Sequence, residues 1–429
     1  MELFTVALGS VIGWGAFVLP GSFFLENAGV LNTFLGFLVA VVMIFFIEKS
    51  YSLLMSKYDD IGGEYTYAKK TFGKNLGFFT GWLLLLAYVS IIPLNATAIP
   101  MVFEKILPFY SRGSLLYTVV GFPVYLNDTL VSLAFIFMFA FVQIKDIKYS
   151  AKIQNVTVFA LLISILLLLL LTILNINDSN YLNFESNMGE LELDLVIRII
   201  AFAPWAFIGF DTVAQLKHDS GVNGKKASLM AFTAVISGAV VYNVVNLITA
   251  FGIDSSEIDS SSWATGDAIQ NMLGSSALIV IGCAMFGAVL SGLNGFFISA
   301  AKLGYAMLEL DYYKNDKGTE KKVIIFICVI SMVVPFLGRN ALFWFVDVSS
   351  VGASFAYLVT CLSAYKLSTT KRMKVFSILG VICSTLFLIF LLTPLFASNI
   401  PYVSAVVLVS WILLGGVFII SKKYSQIYQ

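Results

Sequence analysis

Charge is scarce in this chain. Asp, Glu, Lys and Arg together make up 12% of its 429 residues, and there is a single histidine, His218. A soluble domain carries about twice that charge on its surface. One histidine provides neither a metal cluster nor a catalytic dyad. The four cysteines, Cys283, Cys328, Cys361 and Cys383, have no CxxC spacing and fall in apolar runs. They read as buried small hydrophobes, neither disulfide partners nor metal ligands. No paired carboxylates and no nucleophile–base pair stand out, so an enzyme is not expected. The short basic stretches need no nucleic-acid partner, and no cofactor is expected beyond a coupling H+ or Na+.

Hydrophobic residues are what the chain has in abundance: 59% of it, with a mean hydropathy of +0.91. A protein of this size cannot hide so much apolar surface inside itself, so lipid must be part of its solvent. Apolar runs of spanning length lie at 3–25, 30–54, 73–103, 129–144, 153–174, 194–216, 227–252, 275–308, 323–337, 341–365, 373–395 and 401–421. The expected fold is therefore an all-α integral membrane protein of about 12 transmembrane helices in one domain, 1–429. The first run lacks a basic leader and is too long for a cleaved signal.

Net charge is only +1, but its placement is informative. With the N-terminus inside, twenty-one Lys and Arg fall in cytoplasmic segments and three, Lys105, Arg112 and Arg339, outside. Short basic loops stay cytoplasmic, so both termini are expected inside, with the chain in the plasma membrane. Glu48 and Lys49 are expected to snorkel at the inner end of the second run.

Two long runs are interrupted. The first break is Gly9-Ser10-Val11-Ile12-Gly13-Trp14-Gly15; the second is Ala203-Pro204-Trp205-Ala206-Phe207-Ile208-Gly209-Phe210-Asp211. Breaks at matching places in two halves point to a carrier's midplane site. Five runs per half reverse the orientation, giving an inverted repeat of 1–175 and 193–366, with 373–421 as additional helices. Glycines let the first break unwind and free amides that favour a carboxylate. Pro204 cannot donate in the second break, and freed carbonyls suit an ammonium group. One anion-binding end beside one cation-binding end fits an amino acid. A packing reading stands beside this one: Gly9 and Gly13 also form a small-xxx-small docking pattern.

Gly9 to Phe17 followed by Leu19-Pro20-Gly21 resembles the first-helix signature of the amino acid–polyamine–organocation (APC) superfamily. Gly62-Gly63-Glu64-Tyr65-Thr66-Tyr67, Phe207 to Asp211, and Ser291-Gly292-Leu293-Asn294-Gly295 resemble its later motifs in order. That resemblance implies the LeuT-type 5+5 inverted repeat, with helices 1 and 6 broken. It implies that backbone around Ile12, Gly13, Trp14 and Gly15 binds the substrate carboxylate. Carbonyls near Ala203, Trp205, Ala206 and Ile208 would bind its amino group, and Trp205 and Phe207 would close over it. Ser10, Gly209 and Asn294 complete the candidate site. Three departures are visible. Trp14 stands where a small residue is common, Asp211 replaces a glutamate, and 156–162 lacks the lysine some proton-coupled members carry. Exchange, facilitated diffusion and coupling through Asp211 stay open.

Single polar residues carry paired readings. Asp211 gates or senses protons, or else caps the helix that follows. Asp347 pairs with Arg198 or Arg339 as a structural bridge, or else takes part in transport chemistry. Asn294 glues helices or lines the site. Tyr88 and Asn95 face the pocket or the core. The reading these residues support is an amino acid transporter working by alternating access, as exchanger or ion-coupled permease. A polyamine or amine carrier and a non-transporting amino-acid sensor are the alternatives. Its partners are an amino acid and the bilayer, with protein partners left open.

Overall fold

The computed structural model describes residues 2–145, 147–309, 317–338, 341–396 and 398–427. Backbone polar groups in lipid must be satisfied within the segment, and the chain does this almost entirely with helices. It opens with α1 (Glu2–Ile12) and α2 (Gly15–Leu19), then a π-type segment, Pro20–Leu25, and α3 (Glu26–Lys57). There follow α4 (Gly63–Phe72), α5 (Lys74–Ile106), β1 (Leu115–Val119), β2 (Phe122–Tyr125), α6 (Leu126–Lys145), α7 (Ile147–Asn175) and α8 (Asp178–Met188). The second half holds α9 (Leu193–Phe207), α10 (Thr212–Ser220), α11 (Gly224–Gly252), α12 (Ala264–Leu273) and α13 (Ala277–Glu309). The chain ends in α14 (Lys317–Ser331), α15 (Ala341–Leu367), α16 (Lys371–Leu392) and α17 (Tyr402–Ile427).

Ten described helical stretches are long and apolar enough to cross a membrane, against twelve expected runs. The first two runs merge into one 55-residue stretch, Leu3–Lys57, kinked at Gly29, whose φ is 69°. The ninth, expected at 323–337, is the 15-residue α14 followed by a 3-10 turn, Val334–Leu337. Pro335 cannot donate to the preceding turn, so the helix does not extend through it.

Among the described residues the structure departs from an all-α chain at one place. Within the expected outer connection 104–128, β1 and β2 form an antiparallel hairpin, with Val119 opposite Phe122. Val120 and Gly121 both take positive φ (49° and 84°), as a two-residue hairpin turn of matching twist requires. Tyr117 Oη donates to Phe336 O at 2.7 Å, tying the hairpin to the 3-10 turn.

α5 and α13 form the centre, packed on each other and flanked by α15 and α7. α17 and α6 lie at the edge, mostly exposed along their apolar lengths. Two expectations about side chains are corrected here. Cys283 is exposed, while the other three cysteines are buried, and all four are free thiols. Glu48 does not snorkel: it is fully buried and accepts from Ser228 Oγ of α11, while Lys49 pairs with its other oxygen at 3.3 Å.

Candidate functional site

Both helices are broken, and more narrowly than the sequence suggests. α1 stays helical through Gly9, Ser10 and Ile12, and the interruption is Gly13-Trp14. Gly13 has φ +32°, a left-handed value that a side chain resists. In the second run α9 remains helical through Ala203, Pro204, Trp205, Ala206 and Phe207. Its break is Ile208 to Asp211, pivoting on Gly209 at φ +120°.

The second break packs against the backbone of α1 at Ser10 and Val11, just before the first break. A Cβ on Gly209 would lie 2.6 Å from Ser10 Cβ and 2.8 Å from Val11 N, so no larger residue fits without displacing α1. Gly15 serves the neighbouring contact: a Cβ there would fall 2.5 Å from the Trp205 ring. Trp205 packs edge-on against Trp14, with ring centroids 5.6 Å apart, and Phe202 backs it at 5.0 Å. Phe207, expected beside Trp205 as a gate, turns away and packs on Phe37 of α3 at 5.8 Å. Three buried polar atoms here have no partner among the described residues: Trp14 Nε1, Trp205 Nε1 and Ser10 Oγ. Buried donors are nearly always satisfied, so two free indole N–H groups at one spot suit a polar ligand.

Each break is anchored differently. Trp14 N donates to Asn95 Oδ1 of α5 at 3.2 Å, and Phe17 N and Val18 N both donate to Trp14 O. The second break stitches itself. Gly209 N donates to Asp211 Oδ1 at 2.7 Å, and Thr212 Oγ1 donates to Gly209 O at 2.6 Å. Asp211 precedes α10 but makes no side-chain cap to it; its other oxygen accepts from Tyr88 Oη at 2.9 Å. The capping reading therefore gives way to a backward brace.

Beneath Asp211 lies a second buried carboxylate whose role sequence reasoning left unassigned. Glu64 of α4 accepts from Tyr51 Oη at 2.8 Å and from Gln215 Nε2 of α10 at 2.6 Å. Burial, and then the nearby Asp211, push Glu64 well above the ordinary carboxylate range. The signal was present: a glutamate directly after Gly62-Gly63, in a helix with an otherwise buried first half.

Asn294 is placed away from the breaks. Its Oδ1 accepts from Gln143 Nε2 and Ser150 Oγ, and its Nδ2 donates to Ser150 O and Gln154 Oε1. With all its hydrogen-bonding positions engaged, it joins α13 to α6 and α7 and does not line a site. Gln154 in turn donates to Thr5 O at 2.9 Å, bracing α1. Gly9 allows that approach, since a Cβ there would lie 2.5 Å from Gln154 Nε2. The packing reading thus holds for Gly9 and the break reading for Gly13. Asp347 accepts from Ser404 Oγ at 2.8 Å, whereas Arg198 lies over the Phe23 ring. Among the described residues no ion pair joins Asp347 to Arg198, and Arg339 lies outside them.

The two faces of the bundle differ. On the hairpin face a cavity of about 320 Å³ descends to Trp14, walled by Val18, Phe122, Trp263 and Phe343. On the basic face Lys302 of α13 pairs with Asp219 at the end of α10 (2.8 Å) and with Glu320 of α14 (3.6 Å). Lys217 pairs with Asp59 at 2.5 Å, and that hydrogen bond holds Asp59 below the ordinary carboxylate range. His218, in the last turn of α10, is exposed and contacts Asp59 O at 2.6 Å.

Ten spanning stretches wrapped around paired helix breaks define a multi-pass membrane protein. The amino acid permease family matches residues 1–421, and the chain belongs to that family. It is 23% identical to the large neutral amino acids transporter small subunit 2 of Homo sapiens, over 77% of this chain and 62% of that protein. It is 25% identical to both the methylthioribose transporter and the branched-chain amino acid permease of Bacillus subtilis (strain 168). Each of those matches covers 58% of this chain and 53% of the relative. The chain thus spans about half to three-fifths of the length of these relatives.

Proposed function

We propose that the protein is a secondary transporter that moves amino acids across the plasma membrane by alternating access. The observation that carries this is the packing of the second break on α1 beside the first, with two indole N–H groups there that have no partner among the described residues and a cavity that reaches Trp14. Backbone at Ile12, Gly13, Trp14 and Gly15 receives the carboxylate, and carbonyls of the second break receive the ammonium group. The fold reading is twelve crossings in a LeuT-type arrangement, with repeats 1–175 and 193–366 and both termini on the basic, cytoplasmic face. On that reading the hairpin face is outside, and the Lys302–Asp219 and Lys217–Asp59 pairs must open to release substrate inward.

An amine or polyamine carrier is less well supported, because Asp211, the carboxylate within the breaks, is already engaged by Tyr88 and Gly209. Coupling falls to the Glu64–Asp211 pair, since residues 156–162 of α7 carry no lysine. The test is reconstitution: protein in liposomes, preloaded with mixed amino acids, challenged with labelled ones with and without pH and sodium gradients. Uptake or exchange is expected. Binding without flux would instead make the chain a sensor.

A further inference from the structure

A slot of about 520 Å³ opens between α5, α13, α14 and α17, away from the breaks. One wall is a stack of rings: Phe78 on Trp82 at 5.6 Å and 16°, and Trp82 on Trp411 at 4.4 Å and 13°. The two indoles exchange hydrogen bonds. Trp82 Nε1 donates to Trp411 O and Trp411 Nε1 to Trp82 O, each at 2.9 Å. Those bonds fix α17 on α5, consume both N–H groups and leave carbon facing the slot. The opposite wall is Met307, Leu308, Phe326 and Ile330. Among the described residues no charged side chain lines the slot, so it provides nothing for a polar solute or for water.

Its opening and its rim point to one kind of occupant. Phe326, Leu414 and Phe418 are 48%, 58% and 48% exposed, so the slot is open sideways to the bilayer. At its end on the basic face, Lys321 and Lys322 are exposed and immediately precede Val323 of the lining. Lys74 starts α5 one turn before Phe78. Among the described residues no carboxylate pairs with Lys321 or Lys322. An apolar trough beneath a basic rim matches a hydrocarbon tail carrying an anionic head.

We propose that this slot holds an acyl chain of an anionic phospholipid, with its headgroup against Lys321 and Lys322. The lipid would clamp α14 and α17 onto α5 and α13, the two helices that support the first break through Asn95, Ser291 and Gly295. This assignment does not depend on what the breaks carry.

The test uses the full chain in phosphatidylcholine nanodiscs, titrated with phosphatidylglycerol brominated on its acyl chains, because bromine quenches indoles it touches. Brominated phosphatidylglycerol is expected to quench at mole fractions roughly tenfold lower than brominated phosphatidylcholine. Ile330→Phe and Leu414→Phe fill the slot and should erase that preference. Leu413→Phe, a neighbour on α17 outside the lining, should keep it. If the filling variants fail to fold, the exposed double variant Lys321→Gln/Lys322→Gln carries the test and should bring the two lipids together. Equal quenching by both lipids in the native chain, or a preference surviving both kinds of variant, would overturn the proposal. So would a dimer, seen by light scattering, that dissociates in Leu414→Phe, since it would assign the slot to a second copy.

Discussion

At Gly13-Trp14 the chain is interrupted for two residues and held from outside, by Asn95 on α5. From Ile208 to Asp211 it is interrupted for four and held from within, by the Asp211 carboxylate and the Thr212 hydroxyl. Both pivot on a glycine with positive φ, yet the glycines meet different surroundings. A Cβ on Gly209 would collide with the backbone of α1, whereas one on Gly13 would find its nearest neighbour, Asn95 Oδ1, at 3.6 Å. The second break is therefore a preformed turn that α1 leans upon. The first depends on a neighbouring helix staying in place.

The most damaging change should be Gly209→Ala. It combines a forbidden φ with a steric clash, on the order of 3 kcal/mol. Labelled amino acid uptake by equal amounts of folded protein should fall roughly 100-fold. Near-normal uptake would remove the contact between the second break and α1 from the mechanism. Gly13→Ala meets the conformational penalty without the clash, about 1–2 kcal/mol, so a loss of roughly tenfold is expected. If the two alanine variants were equally impaired, the asymmetry between the breaks would be illusory.

Asn95→Ala removes the external tether and leaves Trp14 N without its acceptor. The expected cost is about 1 kcal/mol in thermal stability, with the Trp14 fluorescence environment altered and the second break undisturbed. The smallest effect should come from Glu64→Gln, read against pH. Burial raises Glu64, so the folded protein holds its proton more tightly than the unfolded chain. That contribution is fully present below the ordinary carboxylate value and is lost as pH rises toward the folded one. Melting temperature measured upward from about pH 5 should therefore decline less steeply in Glu64→Gln than in the native protein. Parallel curves would mean that Glu64 does not titrate in this range.

Legibility varied by kind of residue. Gly13 and Gly209 were marked in the sequence because each sits in an interrupted motif within a long apolar run, at matching places in the two halves. Pro204 drew the second break too early, since a proline can sit inside a helix while the chain turns four residues later. Phe207 and Trp205 are neighbours in a gate-like motif, but helical geometry sends them to opposite sides, onto Phe37 and Trp14 respectively. Asn294 read first as glue and second as lining the site, and its four hydrogen bonds to Gln143, Ser150 and Gln154 support the first. The hairpin at 115–125 was missed because Val120-Gly121 is a weak turn signal within a connection read only as lying outside.

By itself the sequence determined the solvent, the helical class, which face is basic, and the two places where a helix gives way. Those follow from composition and local backbone chemistry, which act over a few residues. Tertiary structure alone decided that Gly209 lands on Ser10, that Glu64 reaches Gln215, and that Trp82 and Trp411 exchange hydrogen bonds across 329 positions. Such meetings depend on how helices cross. In a chain where most side chains are similarly apolar, close packing and not pattern selects the crossing.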